Sequence, residues 1–281
     1  MELVLLKSLW GMDGPLEENL RRIAETGYQG VEAPVPPPEE RGRFREQLRE
    51  HSLAYIPLIF TAEEGGGEAA SDSPGDRHAA SFRAQLQQAI EFDPLLVISH
   101  TGKDSLDRDQ ARRLFDGALD AERRIGVPVG HETHRGRVLF TPWGTASLLR
   151  EFPELKLTAD FSHWACVCES LLEDQGEAVL LASQRAIHIH GRVGYAEGPQ
   201  VPDPRAPEFA PAVEAHERWW KHIVREHARE ERPRVSFTPE FGPPDYLHTL
   251  PFTRQPVADL WEICLWSARR FRELFRHALT N

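Results

Sequence analysis

Four residues able to bind a metal each close a short apolar run in the second half of the chain. Glu132 ends 127–132 (VPVGHE), Asp160 ends 155–160 (LKLTAD), His190 ends 185–190 (RAIHIH) and Glu240 ends 234–240 (RVSFTPE). A single carboxylate at a strand end commonly caps a loop. Four such endings in succession, separated by helical segments, predict four ligands at one rim of a barrel. Three carboxylates packed there would repel one another, raising their pKa values and costing stability, and a divalent cation removes that conflict. Three carboxylates and one imidazole form a hard, oxygen-rich set. It suits Mn2+ first, then Mg2+, with Co2+ and Zn2+ also compatible.

Parity supports the convergence, because alternate side chains of a barrel strand face in and out. In 186–190, Ile187 and Ile189 are the helix-facing pair, so His188 and His190 point inward. In 235–240, Val235, Phe237 and Pro239 face out while Ser236, Thr238 and Glu240 face in. In 155–160, Lys156, Thr158 and Asp160 face in; in 127–132, Pro128, Gly130 and Glu132 do, and His131 falls outside. His188 lies two residues below His190, one layer deeper, so His190 is the imidazole expected to reach the metal. His100 ends the fourth strand with inward parity, and Glu32 shares the inward parity of Gly30. With Lys7 on the first strand, these are candidates for contact with substrate. Arg192 could take a phosphate or carboxylate of the substrate, since Arg binds both bidentately, or pair with Glu197 or Asp203. Trp10, Trp143 and Trp164 fall near strand ends and could wall a ligand pocket. Trp219, Trp220, Trp261 and Trp266 suit core packing or a subunit interface. Arg269, Arg270, Arg272 and Arg276 suit a solvated helix face.

These runs belong to an alternation spanning the chain. Apolar runs at 2–7, 28–33, 53–60, 95–100, 127–132, 155–160, 186–190 and 235–240 read as strands. Helical spacing appears at 15–26, 39–51, 77–92, 105–125, 142–152, 166–183, 208–231 and 256–278, with Asp104 or Ser105 as a cap for the fourth. Residues 61–76, rich in Gly, Ser and acidic side chains, read as a mobile loop. Alternation of this kind implies a parallel sheet with right-handed crossovers. Eight units predict an α/β fold of the TIM type, a (β/α)8 barrel forming one domain over 1–281. Neither G-x-G-x-x-G nor G-x-x-x-x-G-K-[ST] follows the first strand, which withdraws support from dinucleotide and P-loop readings.

A formal charge of −11 disfavours nucleic acid as a partner. Three cysteines form no disulfide framework and fit a reducing, cytoplasmic setting. The N-terminus reads as neither a secretory signal nor a membrane span.

The pieces His131-Glu132-Thr133-His134-Arg135, Asp160-Phe161-Ser162-His163-Trp164 and His188-Ile189-His190 carry a resemblance. The order Glu, Asp-x-x-His, His-x-His and Glu on strands five to eight resembles the xylose isomerase-like barrels. That group includes sugar isomerases, ketose 3-epimerases, inosose dehydratases and AP endonucleases. Residues 192–207 (RVGYAEGPQVPDPRAP) look like its sugar phosphate isomerase/epimerase branch. The resemblance implies that Glu132, Asp160, His190 and Glu240 hold one metal ion. It implies that Glu132 and Glu240 also handle protons, and that His163 contacts a small carbohydrate substrate, phosphorylated or not. An inosose dehydratase-like lyase and an AP endonuclease-like phosphodiesterase are the alternatives on this frame. The second is weakened because 58–61 (LIFT) offers no histidine and Asp203-Pro204-Arg205 stands where that branch carries Asp-x-His. A third reading is a barrel that binds metal without turnover; the polar side chains of 191–207 argue against it. Barrels of this type often pair, which is compatible with a homodimer.

Overall fold

Eight parallel strands pair in chain order, and the last returns to the first. They are β1 (Glu2–Ser8), β2 (Gly30–Pro34), β3 (Ala54–Phe60), β4 (Val97–His100), β5 (Val129–Glu132), β6 (Leu157–Ala159), β7 (Ala186–His190) and β8 (Arg234–Thr238). The β1–β8 pairing closes the barrel. The computed structural model describes residues 1–63 and 73–280. Its helices are α1 (Leu16–Glu25), α2 (Arg41–Glu50), α3 (Pro74–Ala89), α4 (Arg108–Ile125), α5 (Pro142–Glu151), α6 (Phe161–Val167), α7 (Gly176–Arg185), α8 (Ala210–Arg229) and α9 (Leu260–Thr280). Among the described residues, none of them is long and apolar enough to cross a membrane.

The expected alternation holds, with shifts that have local causes. The helix expected over 166–183 is two helices, because Glu169 and Leu172 take left-handed backbone and break the path. Asp107, not Asp104 or Ser105, caps α4, in a reciprocal capping box with Gln110. α9 begins at Leu260 because Pro256 is held in an antiparallel bridge to Thr249. Of the loop expected over 61–76, residues 74–76 open α3 and residues 64–72 lie outside the described residues.

The barrel interior is divided. Val4, Leu6, Ile56, Leu58, Leu96 and Ile98 form an aliphatic plug from β1, β3 and the β4 side. Buried polar side chains gather on the other strands: Glu32 on β2, Glu132 on β5, Thr158 on β6, His188 and His190 on β7, and Ser236 and Thr238 on β8. β7 carries an extra residue opposite β6, where Leu157 pairs with Ala186 but Thr158 with His188. Ile187 sits at this irregularity and packs on the inner plug, so its expected helix-facing position is corrected; Ile189 does join the outer core. His131 also faces out as expected, against Phe82 and Phe115, with its Nε2 2.8 Å from Glu122 Oε1. Trp219 and Trp220 are buried, Trp261 and Trp266 half-buried, and Arg269, Arg270 and Arg276 exposed. Arg272 is half-buried.

Behind β7, His216 of α8 accepts a hydrogen bond from Gly194 N at 3.2 Å and donates to Ala212 O at 2.8 Å. Burial pushes its pKa from 6.5 down to about 4. Below pH 6.5 the unfolded chain takes a proton that the folded chain refuses. Stability should therefore fall as pH drops from 6.5 towards 4, by on the order of 3 kcal/mol from this group. Denaturant titrations at several pH values check this: His216→Gln should flatten the slope in that window.

Candidate active site

Glu132 is the last residue of β5 and His190 the last of β7. Asp160 follows β6 directly and caps α6, accepting a hydrogen bond from Ser162 N at 3.1 Å. Glu240 lies two residues beyond β8. All four are buried, and one ligand atom from each lies within 4.8 Å of the others. His190 Nδ1 is 3.0 Å from Glu240 Oε2 and 3.4 Å from Glu132 Oε1. Yet His190 Nδ1, Glu240 Oε2 and both Glu132 oxygens lack a hydrogen-bond partner. These atoms are close without hydrogen-bond geometry. Buried polar atoms left in that state cost about 1–3 kcal/mol each. A divalent cation would satisfy them together, so this donor set fits a metal.

The surrounding groups hold the four in place. Glu32 Oε2 accepts from His190 Nε2 at 3.1 Å and from Thr238 Oγ1 at 2.8 Å, and lies 3.4 Å from His188 Nε2. That contact turns His190 Nδ1 towards the carboxylates. His188 lies one layer deeper, as parity predicts, with Nδ1 2.8 Å from Ser236 Oγ and Nε2 3.1 Å from Thr238 Oγ1. On the other side, Arg192 pairs with Asp160, approaches Glu240 Oε2 at 3.3 Å and donates to Ser162 Oγ at 3.1 Å. Its Nη2 also lies 2.8 Å from His163 Nε2. His100 Nε2 is 2.7 Å from Glu132 Oε2.

The electrostatics follow from this packing. Burial would raise Glu132, but His100 and His190 hold it well below the usual carboxylate range. Burial likewise opposes ionisation of Glu32, and His190 and His188 more than offset it. Burial raises Asp160 to about 6 even with Arg192 against it. Burial would lower His190, but Glu240, Glu32 and Glu132 hold it well above its ordinary value. In the metal-free protein, His190 and Arg192 carry the compensating positive charge.

The family model described as xylose isomerase-like TIM barrel matches residues 20–219. The chain belongs to this family. Solved structures agree on the fold. An L-ribulose 3-epimerase is 14% identical with a TM-score of 0.63, covering 100% of this chain and 96% of its own. A D-psicose 3-epimerase from Clostridium cellulolyticum is 13% identical with a TM-score of 0.60, over 98% and 99%. Endonuclease IV from Thermus thermophilus is 16% identical with a TM-score of 0.56, over 99% and 100%. No curated protein matches the chain in sequence.

This xylose isomerase-like barrel departs from the sequence expectations at several candidates. Lys7 faces out of the barrel, because Leu6 and Ser8 are the residues in register with inward Gly30 and Glu32. Its Nζ donates to Ser8 O at 2.6 Å, and it borders a separate cavity beside Pro243, Leu260 and Trp261. Glu32 is inward but fully buried beneath His190, to which it is hydrogen-bonded, and it does not line the cleft where substrate contact is expected. Arg192 is only 1% exposed and spent on Asp160 rather than on Glu197 or Asp203; Asp203 pairs with Arg205. Trp164 is buried in the core, donating to Leu139 O at 3.0 Å and stacking on Phe161, because α6 turns it away from the mouth. Trp143 is exposed on α5 and does not line the cleft. His163 is buried against His134, ring centroids 3.8 Å apart, with Nδ1 unpartnered.

A cleft of about 700 Å3 opens over these four residues, Glu132, Asp160, His190 and Glu240, and is lined by His100, His134, Arg192, Glu240, Trp10 and Tyr246 among others. His134 and Tyr246 are site residues that the sequence reading does not single out. His134 has a signal, since it stands two residues past Glu132 and so keeps its parity. It forms a further ligand-like group with His100 and Glu132, as do Glu32, His188 and His190. Tyr246 has none: it lies in the irregular connection from β8 to α9 and meets the site through Trp10 at 5.1 Å and Arg192 at 4.8 Å.

The role of Glu32 is open to test. Glu32→Gln keeps the shape but weakens the hold on His190, and should lower Mn2+ affinity by about 10–100-fold. Calorimetric titration of the metal-free variant measures it; unchanged affinity would remove that role.

Proposed function

We propose that the chain is a divalent-metal-dependent isomerase or epimerase acting on a sugar or sugar-like polyol, moving a proton next to a carbonyl. The observation that carries the reading is the pair Glu132 and Glu240. They flank His190 Nδ1 with unpartnered oxygens beneath an open cleft. Glu132, Asp160, His190 and Glu240 would hold the ion, with Mn2+ first by donor type. When bound, the ion supplies a Lewis acid that draws charge from the carbonyl oxygen.

The protein supplies the proton chemistry. Glu132 is held ionised and can accept the proton from the carbon beside the carbonyl. Glu240 comes from the other side of the ring of strands and can deliver a proton to the opposite face, which inverts that carbon. His100, which touches Glu132 and lines the cleft, would hold a substrate hydroxyl. His163 is fully buried against Arg192 and His134 and does not line the cleft, so its expected contact with substrate gives way to support of those two side chains. Since Arg192 is occupied by Asp160, a phosphorylated substrate loses its main expected partner.

Incubating the Mn2+-loaded protein with ketoses in tritiated water tests the reading. Exchange at the carbon beside the carbonyl, with inversion or carbonyl migration, is expected. Net loss of water would assign the lyase chemistry instead, and strand cleavage or phosphate release the phosphodiesterase. Absence of exchange with every ketose tried would contradict the proposal.

A further inference from the structure

The cleft has two unlike halves. Its inner end carries Glu240, His100, His134 and Arg192, whereas the wall leading outward is built from Leu9, Trp10, Val35, Pro36, Leu58 and Phe60. Among the described residues that β1 to β3 and the segments after them contribute to this lining, only Ser8 and Glu40 are polar. Ser8 Oγ already accepts a hydrogen bond from Trp10 N at 3.3 Å. Trp10 is 38% exposed and Phe60 39% exposed, so two large apolar side chains stand uncovered at the mouth. Phe60 also stacks on His100 with ring centroids 4.4 Å apart. The apolar wall therefore begins directly beside the group that touches Glu132.

A free sugar brings a hydroxyl on nearly every carbon. Each hydroxyl loses water on entering such a cleft and needs a polar partner in return. Aromatic rings alone could cover the C–H face of a sugar, but Leu9, Val35, Pro36 and Leu58 extend the wall with aliphatic surface that offers no such partner. Apolar surface exposed in a concave site marks the part of a ligand it covers. We propose that the substrate joins a hydroxycarbonyl end, which meets the carboxylates, to an apolar or aromatic group lying on Trp10 and Phe60. Only the hydroxycarbonyl end rests on the proposed function; the apolar group rests on the wall.

Three probes test it on the Mn2+-loaded protein: hydroxyacetone, its phenylethyl analogue and D-fructose. Calorimetry gives binding, and tritium uptake from solvent gives proton exchange. The phenylethyl ketone should bind at least about tenfold tighter than the other two, the increment expected for covering one ring. Trp10→Ser and Phe60→Ser, both at half-exposed positions, should each lower that ratio. Equal binding of the three probes, tighter binding of D-fructose, a ratio unmoved by both variants, or binding of none would overturn the proposal. The two readings fail separately. Preferential binding without exchange would sink the isomerase reading and keep the apolar group; exchange without preference would do the reverse.

Discussion

Arg192→Met is expected to destabilise the metal-free protein by about 3–5 kcal/mol, the cost of leaving buried charge without its partner. Arg192 lies against Asp160 and Glu240, and with His190 it supplies the positive charge for a buried set that also includes Glu132. Removing the guanidinium leaves those carboxylates to repel one another. Saturating Mn2+ should restore most of the loss, because the ion supplies the charge that Arg192 gave. Chemical denaturation with and without Mn2+ measures both quantities. If Arg192→Met folds too poorly to titrate, Arg192→Lys keeps the charge but not the fork, and should show a smaller loss of the same kind. A loss that Mn2+ fails to reverse would mean that Arg192 and the ion do not share these carboxylates.

Glu240→Gln should have the opposite profile. It removes one charge from the crowded set while keeping shape, so the metal-free protein should be no less stable than the native one. Mn2+ affinity should fall by about 100-fold or more, beyond the range typical of an outer partner such as Glu32. Loss of a proton-handling carboxylate should lower kcat by about 10^2–10^4-fold at saturating metal. Calorimetry and steady-state exchange rates measure the two effects independently. A variant that kept native affinity and rate would remove Glu240 from the site.

Both predictions rest on residues whose position the sequence exposes, and the reason is geometric. Strand alternation has a period of two, so Glu132, His190 and His188 declare their side of the sheet once a single neighbour is placed. Asp160 and Glu240 lie just past their strands, yet stay close enough to the last paired residue to keep the inward direction. Lys7 departs for a related reason: its parity depends on the register of β1 against β2, where Leu6 pairs with Gly30, and local spacing does not reveal register. Ile187 departs because one extra residue in β7 interrupts the alternation. Trp164 turns into the outer core because α6 starts immediately after Asp160, and the helical path carries its side chain towards Leu139 and Phe161 and away from the mouth. Glu32 is legible as an inward charge and Arg192 as a charge just past β7, but their tasks are not. Type and parity show that a charge faces inward; only distances show that it is already committed to His190 or to Asp160. The outer cleft is less legible: Trp10 shows as a tryptophan near a strand end and does line it, but Phe60 and Tyr246 come from separate parts of the chain with no common periodicity.

The proposed metal centre requires one cation among Glu132, Asp160, His190 and Glu240. Anomalous diffraction at the manganese edge, from crystals grown with Mn2+, decides whether it is there. The three ligand-like groups found among the described residues share Glu132 and His190 between them, so only position separates them. The strongest peak is expected in coordination contact with His190 Nδ1 and with oxygens of Glu132, Asp160 and Glu240. A protein without a peak there, or with its main peak among Glu32, His188 and His190, would contradict the assignment.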